Sequence, residues 1–203
     1  MYTIMLSKGA KEKYQYYSEE DIWTDFKKGD KQAYEFIFKK YYNLLLSYGM
    51  KINRNTEETK DCIQQLFAGL WESRQRLGSN DSIRSYLSAS LRRIILRKLK
   101  VKFQYVNIED MNPGFRAEIS PELKFIKNQR EIEQVKLVSD LIQNLPDRQK
   151  EALYLRFYSD YSFGEIAETM GITTRGVYKL LYRAFDHLAT QVEQKKLSTV
   201  ILS

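Results

Sequence analysis

The chain is short of several residue types. Among 203 residues it has one cysteine, one histidine, three prolines and nine glycines. A single thiol, Cys62, rules out an intramolecular disulfide and leaves no basis for a cysteine-based zinc site. Cys62 stands beside Ile63 in an apolar pattern, which predicts a buried thiol rather than a redox sensor. The one histidine, His187, follows Asp186 and has no nucleophile motif near it, so a packing or surface role is expected. No Gly-rich phosphate loop, HExxH or metal-ligand cluster is present, so no catalytic residue, metal or cofactor is expected. No apolar run approaches the ~18 residues that a membrane span needs. The first twenty residues hold no signal-peptide core, so a cytoplasmic chain without membrane insertion is expected. Acidic residues are missing from one window. Residues 82–104 carry seven Lys or Arg and no Asp or Glu, which accounts for the whole formal charge of +7. A localised cationic strip points to a polyanion, either nucleic acid or a membrane surface.

Low Pro and Gly leave helices to dominate, and apolar residues, 43% of the chain, suffice for real cores. Residues 1–18 are polar and tyrosine-rich and receive no assignment. From 19 to 53 the pattern is helical, with Ile22, Trp23 and Phe26 on one buried face. Lys28, Gly29 and Asp30 break it, and Asp30 is placed to cap the next helix. Ala33, Phe36, Ile37, Tyr41, Leu44, Leu45 and Tyr48 then recur at three- and four-residue steps. Asn55 and Thr56 open a third helix, with Glu57 and Glu58 near the positive end of its dipole. Ile63, Leu66, Phe67 and Leu70 form its apolar stripe, with Asp61 and Gln65 on another face and Gln64 and Trp71 at the border. Residues 77–82 (LGSNDS) read as a loop.

The next helix, residues 82–100, is two-faced. Ile83, Leu87, Leu91, Ile94 and Ile95 make its apolar side. Arg92, Arg93, Arg97 and Lys100 project from the opposite side, with Tyr86 at the edge. A solvated face usually mixes signs, so this unrelieved positive face favours contact with phosphate. Periodicity is lost over 101–126, and 103–128 reads as a flexible linker. It returns at Ile132, Val135, Val138, Leu141, Ile142 and Leu145. Pro146 and Asp147 start another helix, with Ala152, Leu153, Leu155 and Phe157 on its apolar face. Residues after 194 read as a frayed tail.

Residues 163–183 (FGEIAETMGITTRGVYKLLYR) read as two short helices joined by a tight turn. Ile166 and Ala167 bury one face of the first, and Gly171 supplies a left-handed turn position. Thr173 or Thr174 caps the second. Val177, Leu181, Ala184 and Leu188 make its inner face. Arg175, Tyr178, Lys179, Tyr182 and Arg183 fall outside, an arrangement that suits a DNA major groove.

Four segments now stand in order: IWTDFKKGDKQAYEFIFKKYY, DCIQQLFAGLW, IRSYLSASLRRIILRKLK and LPDRQKEALYLRFYSDYSFGEIAETMGITTRGVYKLLYRA. Together, over about residues 20–190, they resemble the extracytoplasmic-function sigma factors of bacterial RNA polymerase, in the sigma-70 family. The resemblance implies an all-α chain of two helical domains. These are a region 2-like bundle over 19–102 and a region 4-like helix-turn-helix over 129–194, joined by the linker and followed by a tail over 195–203. It implies a transcription initiation factor that binds core RNA polymerase and directs it to promoters. Asp61, Gln64 and Gln65 would contact the β′ clamp helices, and the β flap would be a second polymerase contact. The 82–100 helix would melt and hold the −10 element. There Arg92, Arg93, Arg97 and Lys100 would grip phosphate while Tyr86 and Asn80 approach unstacked bases. Thr174, Arg175, Tyr178, Lys179 and Arg183 would lie nearest the −35 element. An anti-sigma factor or another recruiting protein is a further partner that the resemblance implies.

The chain departs from the family's usual pattern at three places. Arg92-Arg93 stands where Arg-Asn is common, Arg97 where Asp is common, and Gly176 where Thr is usual. The basic replacements favour backbone grip over base readout, because phosphate contacts carry no sequence information directly. Two other readings stay open on sequence alone. One is a helix-turn-helix regulator acting without polymerase docking. The other is a sigma-like module that binds polymerase or a partner without reading promoters.

Overall fold

The computed structural model describes residues 13–103, 115 and 129–201, with side chains given for 13–101, 115 and 136–194. Eight helices and no strand occur among these residues, so the fold is all-α. The chain divides into two compact units, Met1–Lys102 and Phe103–Ser203. The proposed linker, 103–128, lies outside the described residues except for Phe103 and Phe115, as do residues 1–12 of the unassigned N-terminal segment.

The first unit contains α1 (Glu19–Lys27), α2 (Lys31–Ile52), α3 (Thr56–Ser73) and α4 (Ile83–Phe103). Each start has a local cause. Ser18 caps α1 by accepting from the Asp21 amide. Asp30 caps α2, accepting from the amides of Gln32 at 2.7 Å and Ala33 at 3.2 Å. Asn55 caps α3 by accepting from Glu57 and Glu58. Such side-chain oxygens satisfy amide groups that have no partner within the helix. Gly29 makes the α1–α2 turn at φ 93°, a left-handed position cheap only for glycine.

Apolar faces then close one core. Phe26, Ile37, Leu45, Ile63, Leu87 and Leu91 are fully buried. Gly49 shows how closely the helices meet. A Cβ there would lie 2.6 Å from Thr59 Cγ2 on α3 and 3.3 Å from Leu91 Cδ2 and Ile95 Cδ1 on α4. Rings of Phe26, Tyr34, Phe67 and Trp71 form a second cluster, and the Tyr34 hydroxyl donates to the Phe67 carbonyl at 3.1 Å. Cys62 is buried, and that burial pushes its thiol pKa up.

Part of the unassigned N-terminal segment belongs to this unit. Tyr14 is 1% exposed, packs on Tyr17 and Phe36, and donates to Asp30 and Asp25. Lys13 pairs with Asp30 at 2.7 Å. The composition of 1–18 gave no sign of this anchor, because a tyrosine fits a surface as readily as a core.

The second unit contains α5 (Gln129–Gln143), α6 (Asp147–Leu153), a π-helical turn Tyr154–Tyr158, α7 (Phe163–Met170) and α8 (Thr174–Ile201). Leu141 and Leu145 are buried, while Val138 is 47% exposed and so leaves the expected apolar stripe. Ala152, Leu153 and Leu155 are buried as expected, but Phe157 is 66% exposed. The π turn is the reason: its wider winding rotates the following residues off the 3.6-residue stripe. Tyr154 takes a core position instead and meets Phe115 at a centroid distance of 5.5 Å. The backbone of α8 is helical to Ile201, through most of the expected tail.

Candidate nucleic-acid interface

On α3, Asp61, Gln64 and Gln65 are exposed, and Ala68, Gly69 and Glu72 continue the same strip. Steps of three and four residues put them on one side of the helix. The opposite side is the buried set Cys62, Ile63, Leu66, Phe67 and Leu70. Trp71 is half-buried and carries the Arg74 guanidinium 4.3 Å from its ring centroid. Lys98 Nζ of α4 lies 4.0 Å from Asp61 Oδ2, an exposed pair of little net worth. Gln65, Ala68, Gly69 and Glu72 of α3 and Tyr86, Ser90 and Ile94 of α4 line an open groove of about 420 Å³.

The sequence alone did not show how α4 and its leading loop are held. Ser82 caps the helix, its hydroxyl accepting from the Ser85 amide at 3.3 Å. Glu19, 64 positions earlier, accepts from the Ile83 amide at 3.0 Å. Burial alone would raise the Glu19 pKa. Hydrogen bonds from Tyr41 and Lys40, and that Ile83 amide, outweigh it and hold Glu19 below the usual carboxylate range. Trp23 then ties down the loop. Its indole N–H donates to the Gly78 carbonyl at 3.0 Å, and its ring meets Tyr86 edge-on at 5.4 Å. Asn80 spends both ends of its amide on Ser82, donating to the carbonyl at 3.1 Å and accepting from the amide at 3.3 Å. Its side chain therefore shapes the loop.

The cations of α4 divide. At 100° per residue Tyr86, Arg93, Arg97 and Lys100 share an arc of about 60°. Arg93, Arg97 and Lys100 are exposed and Tyr86 is half-exposed. Arg92 falls roughly 80° outside that arc, is only half-exposed and has contacts of its own. The expected row of four cations is thus three, with Arg92 set to the side. Ile94 is half-exposed in the groove, while Leu96, Ser85, Ser88 and Ala89 are buried. The buried side of α4 is more polar than expected because its small hydroxyl residues let the helices pack closely.

In the second unit, Ser162 and Glu165 form a capping box at the start of α7. Gly171 ends α7 in the left-handed conformation, φ 64° and ψ 40°. Thr173, not Thr174, caps α8, its hydroxyl accepting from the Gly176 amide at 3.1 Å. Val177, Leu181 and Ala184 are buried against the rest of the unit, and Leu188 is half-buried. Thr174, Arg175, Tyr178, Lys179, Tyr182 and Arg183 are exposed. His187 is exposed and reaches α6 through one hydrogen bond, its Nδ1 3.0 Å from Gln149 Oε1. A Cβ at Gly176 would find only ordinary contacts, at 3.5 Å from Ile172 and Thr173.

The described chain thus holds two helical units, one with a braced cationic helix and one with a helix-turn-helix. The family model of sigma-70 region 2 matches residues 37–102, and that of sigma-70 region 4 matches 136–188. Together the two models span more than half of the chain, which belongs to the sigma-70 family. It is 23% identical over 156 residues to RNA polymerase sigma factor YlaC of Bacillus subtilis (strain 168), covering 76% of this chain and 88% of that one. It is 21% identical over 178 residues to Bacteriocin UviA of Clostridium perfringens, covering 81% of this chain and 93% of that one. Its fold is similar to that of CnrH in complex with the cytosolic domain of CnrY, at TM-score 0.55 and 15% identity over 86% of this chain and 97% of that chain. No helix among the described residues is long and apolar enough to cross a membrane.

Proposed function

We propose that this sigma factor docks on core RNA polymerase through Asp61, Gln64 and Gln65, opens the −10 element on α4 and contacts the −35 element with α8. The observation that carries the reading is the bracing of α4. Glu19, Trp23 and Ser82 fix its start and the preceding loop, so Tyr86, Arg93, Arg97 and Lys100 present one ready face. A positive track beside an aromatic ring is what separated strands require: phosphates are gripped and an unstacked base finds a π surface. A surface prepared before binding avoids the ordering cost at the moment of contact. Lys100, Arg97 and Arg93 grip backbone, Tyr86 meets a base, and Asn80 holds the loop in shape. Arg92 lies to the side of that face.

The docking strip on α3 is polar, exposed and backed by a packed core, which suits a contact with another helical surface. Its proposed counterpart is the β′ clamp helices, with the β flap meeting the region 4 unit. A protein partner that holds the factor in check is part of the same reading, and CnrH has been solved bound to the cytosolic domain of CnrY. The test is direct. Asp61→Ala with Gln65→Ala should weaken binding to core polymerase by at least about tenfold, since polar contacts at an interface centre are worth on the order of 1–2 kcal/mol each. The thermal melt should stay unchanged, because both side chains are exposed. Unaltered affinity for core would place the docking surface elsewhere.

A further inference from the structure

Tyr178 is one of several exposed residues on α8, but it alone among the named contacts of that helix rests on an aromatic platform. Its ring lies nearly parallel to that of Phe163, with 14° between planes and 4.3 Å between centroids. Phe163 is the first residue of α7, so the pair links the two helices of the motif. The start of α7 is itself fixed by the Ser162–Glu165 capping box. Arg156, on the π-helical turn, completes the brace. Its guanidinium carbon is 5.2 Å from the Phe163 ring centroid, and its Nη1 donates to the Tyr161 carbonyl at 2.9 Å. Three elements therefore converge on one ring pair. Despite the stack, Tyr178 stays 56% exposed.

The chemistry of such a group differs from that of its neighbours. Arg175 and Lys179 are long, exposed cations that can follow a phosphate wherever it lies. A tyrosine held flat by a second ring has few rotamers left to lose and one surface to offer. Tyr178 is the fifth residue of α8, in the stretch of a recognition helix that meets base edges. What a fixed apolar ring edge meets well in the major groove is the C5-methyl group of thymine.

We propose that Phe163 is a positioning residue for upstream promoter readout: it holds Tyr178 as a rigid reader of one thymine methyl, with Arg156 bracing the stack. The inference rests on the proposed contact of α8 with the −35 element and adds the base class read there. It also sets a limit on the view that this chain relies on phosphate grip, because one position is read through an apolar contact.

The experiment uses the full chain with core polymerase on a library randomised through the upstream element. Position-by-position preferences are compared for the wild type, Phe163→Ala, Phe163→Tyr and Tyr178→Ala. Phe163→Ala and Tyr178→Ala should lose the same single thymine preference, by about fivefold or more. Phe163→Tyr should keep it, and other positions and affinity for core should be unchanged in all four proteins. Replacing that thymine with uracil, which lacks only the methyl, should weaken the wild type by a similar factor and leave Phe163→Ala unaffected. The uracil arm on the wild type does not depend on how any variant folds. An upstream preference that survives Phe163→Ala, that shifts equally at all positions, or that ignores the uracil exchange overturns this inference alone. A wild-type complex with no upstream preference anywhere overturns it together with the −35 assignment.

Discussion

Two glycines in helices make opposite demands on the chain. Gly49 sits where three helices meet, and a methyl group there would press on Thr59 at 2.6 Å. Thr59 is buried and β-branched, so it has little freedom to move away. Gly176 sits in the first turn of α8 with room around it and ordinary negative φ. Gly49→Ala should therefore destabilise the first unit by about 1–2 kcal/mol, overpacking exceeding the gain in helix propensity. Gly176→Ala should stabilise the second unit by about 0.5–1 kcal/mol. Chemical denaturation followed unit by unit would read both, and equal signs at the two sites would contradict the packing described here. The sequence marked Gly176 as a departure from the family pattern, but its tolerance of a side chain is a matter of neighbouring atoms.

At the scale of elements, caps carry much of the organisation. Asp30, Asn55, Gly29 and Gly171 were legible because each acts on residues within a few positions of itself. The exposed sets on α3 and α8 were legible for the same reason, since helical spacing alone separates them from the buried stripes. Long-range ties were not. Glu19 reaches across 64 positions to the start of α4, and Trp23 reaches 55 positions to Gly78. No periodicity encodes such contacts. The placement of Arg92 and the exposure of Phe157 were missed for another reason: one extra residue of winding, or an offset of 100°, is invisible without knowing which side of the helix is covered.

The cap at Asp30 also gives a pH dependence. Burial alone would raise its pKa. Hydrogen bonds from Lys13, Tyr14 and the amides of Ala33 and Gln32 instead bring it to about 2, below its ordinary 3.8. The native state thus favours the carboxylate, and the stability this provides is complete above the ordinary value. It is lost as pH falls from about 4 towards 2. Asp30→Asn keeps a good capping residue but removes the charge. The wild type should be the more stable protein at neutral pH, and the gap between the two should shrink over that acid interval. A gap that is constant from pH 6 to pH 2.5 in denaturant titrations would show that the charge of Asp30 adds nothing.

The whole molecule combines a braced cationic helix, an exposed polar strip and a helix-turn-helix in one chain of the sigma-70 family. Joined on one polypeptide, the two proposed DNA contacts would raise each other's effective concentration, and docking on polymerase would add a third. Cationic residues in the 82–104 window should make the proposed strand-holding step sensitive to salt, because each neutralised phosphate releases counterions. The central claim is that α4 holds open promoter DNA while the factor is seated on polymerase. Its most direct test is transcription by core polymerase with this protein on a random promoter pool, with the 5′ ends of the transcripts sequenced. The account predicts discrete starts at a fixed distance from a shared motif, abolished by Arg93→Ala with Arg97→Ala while binding to core persists. Transcripts without a defined start, or starts that survive that double substitution at moderate salt, would contradict it.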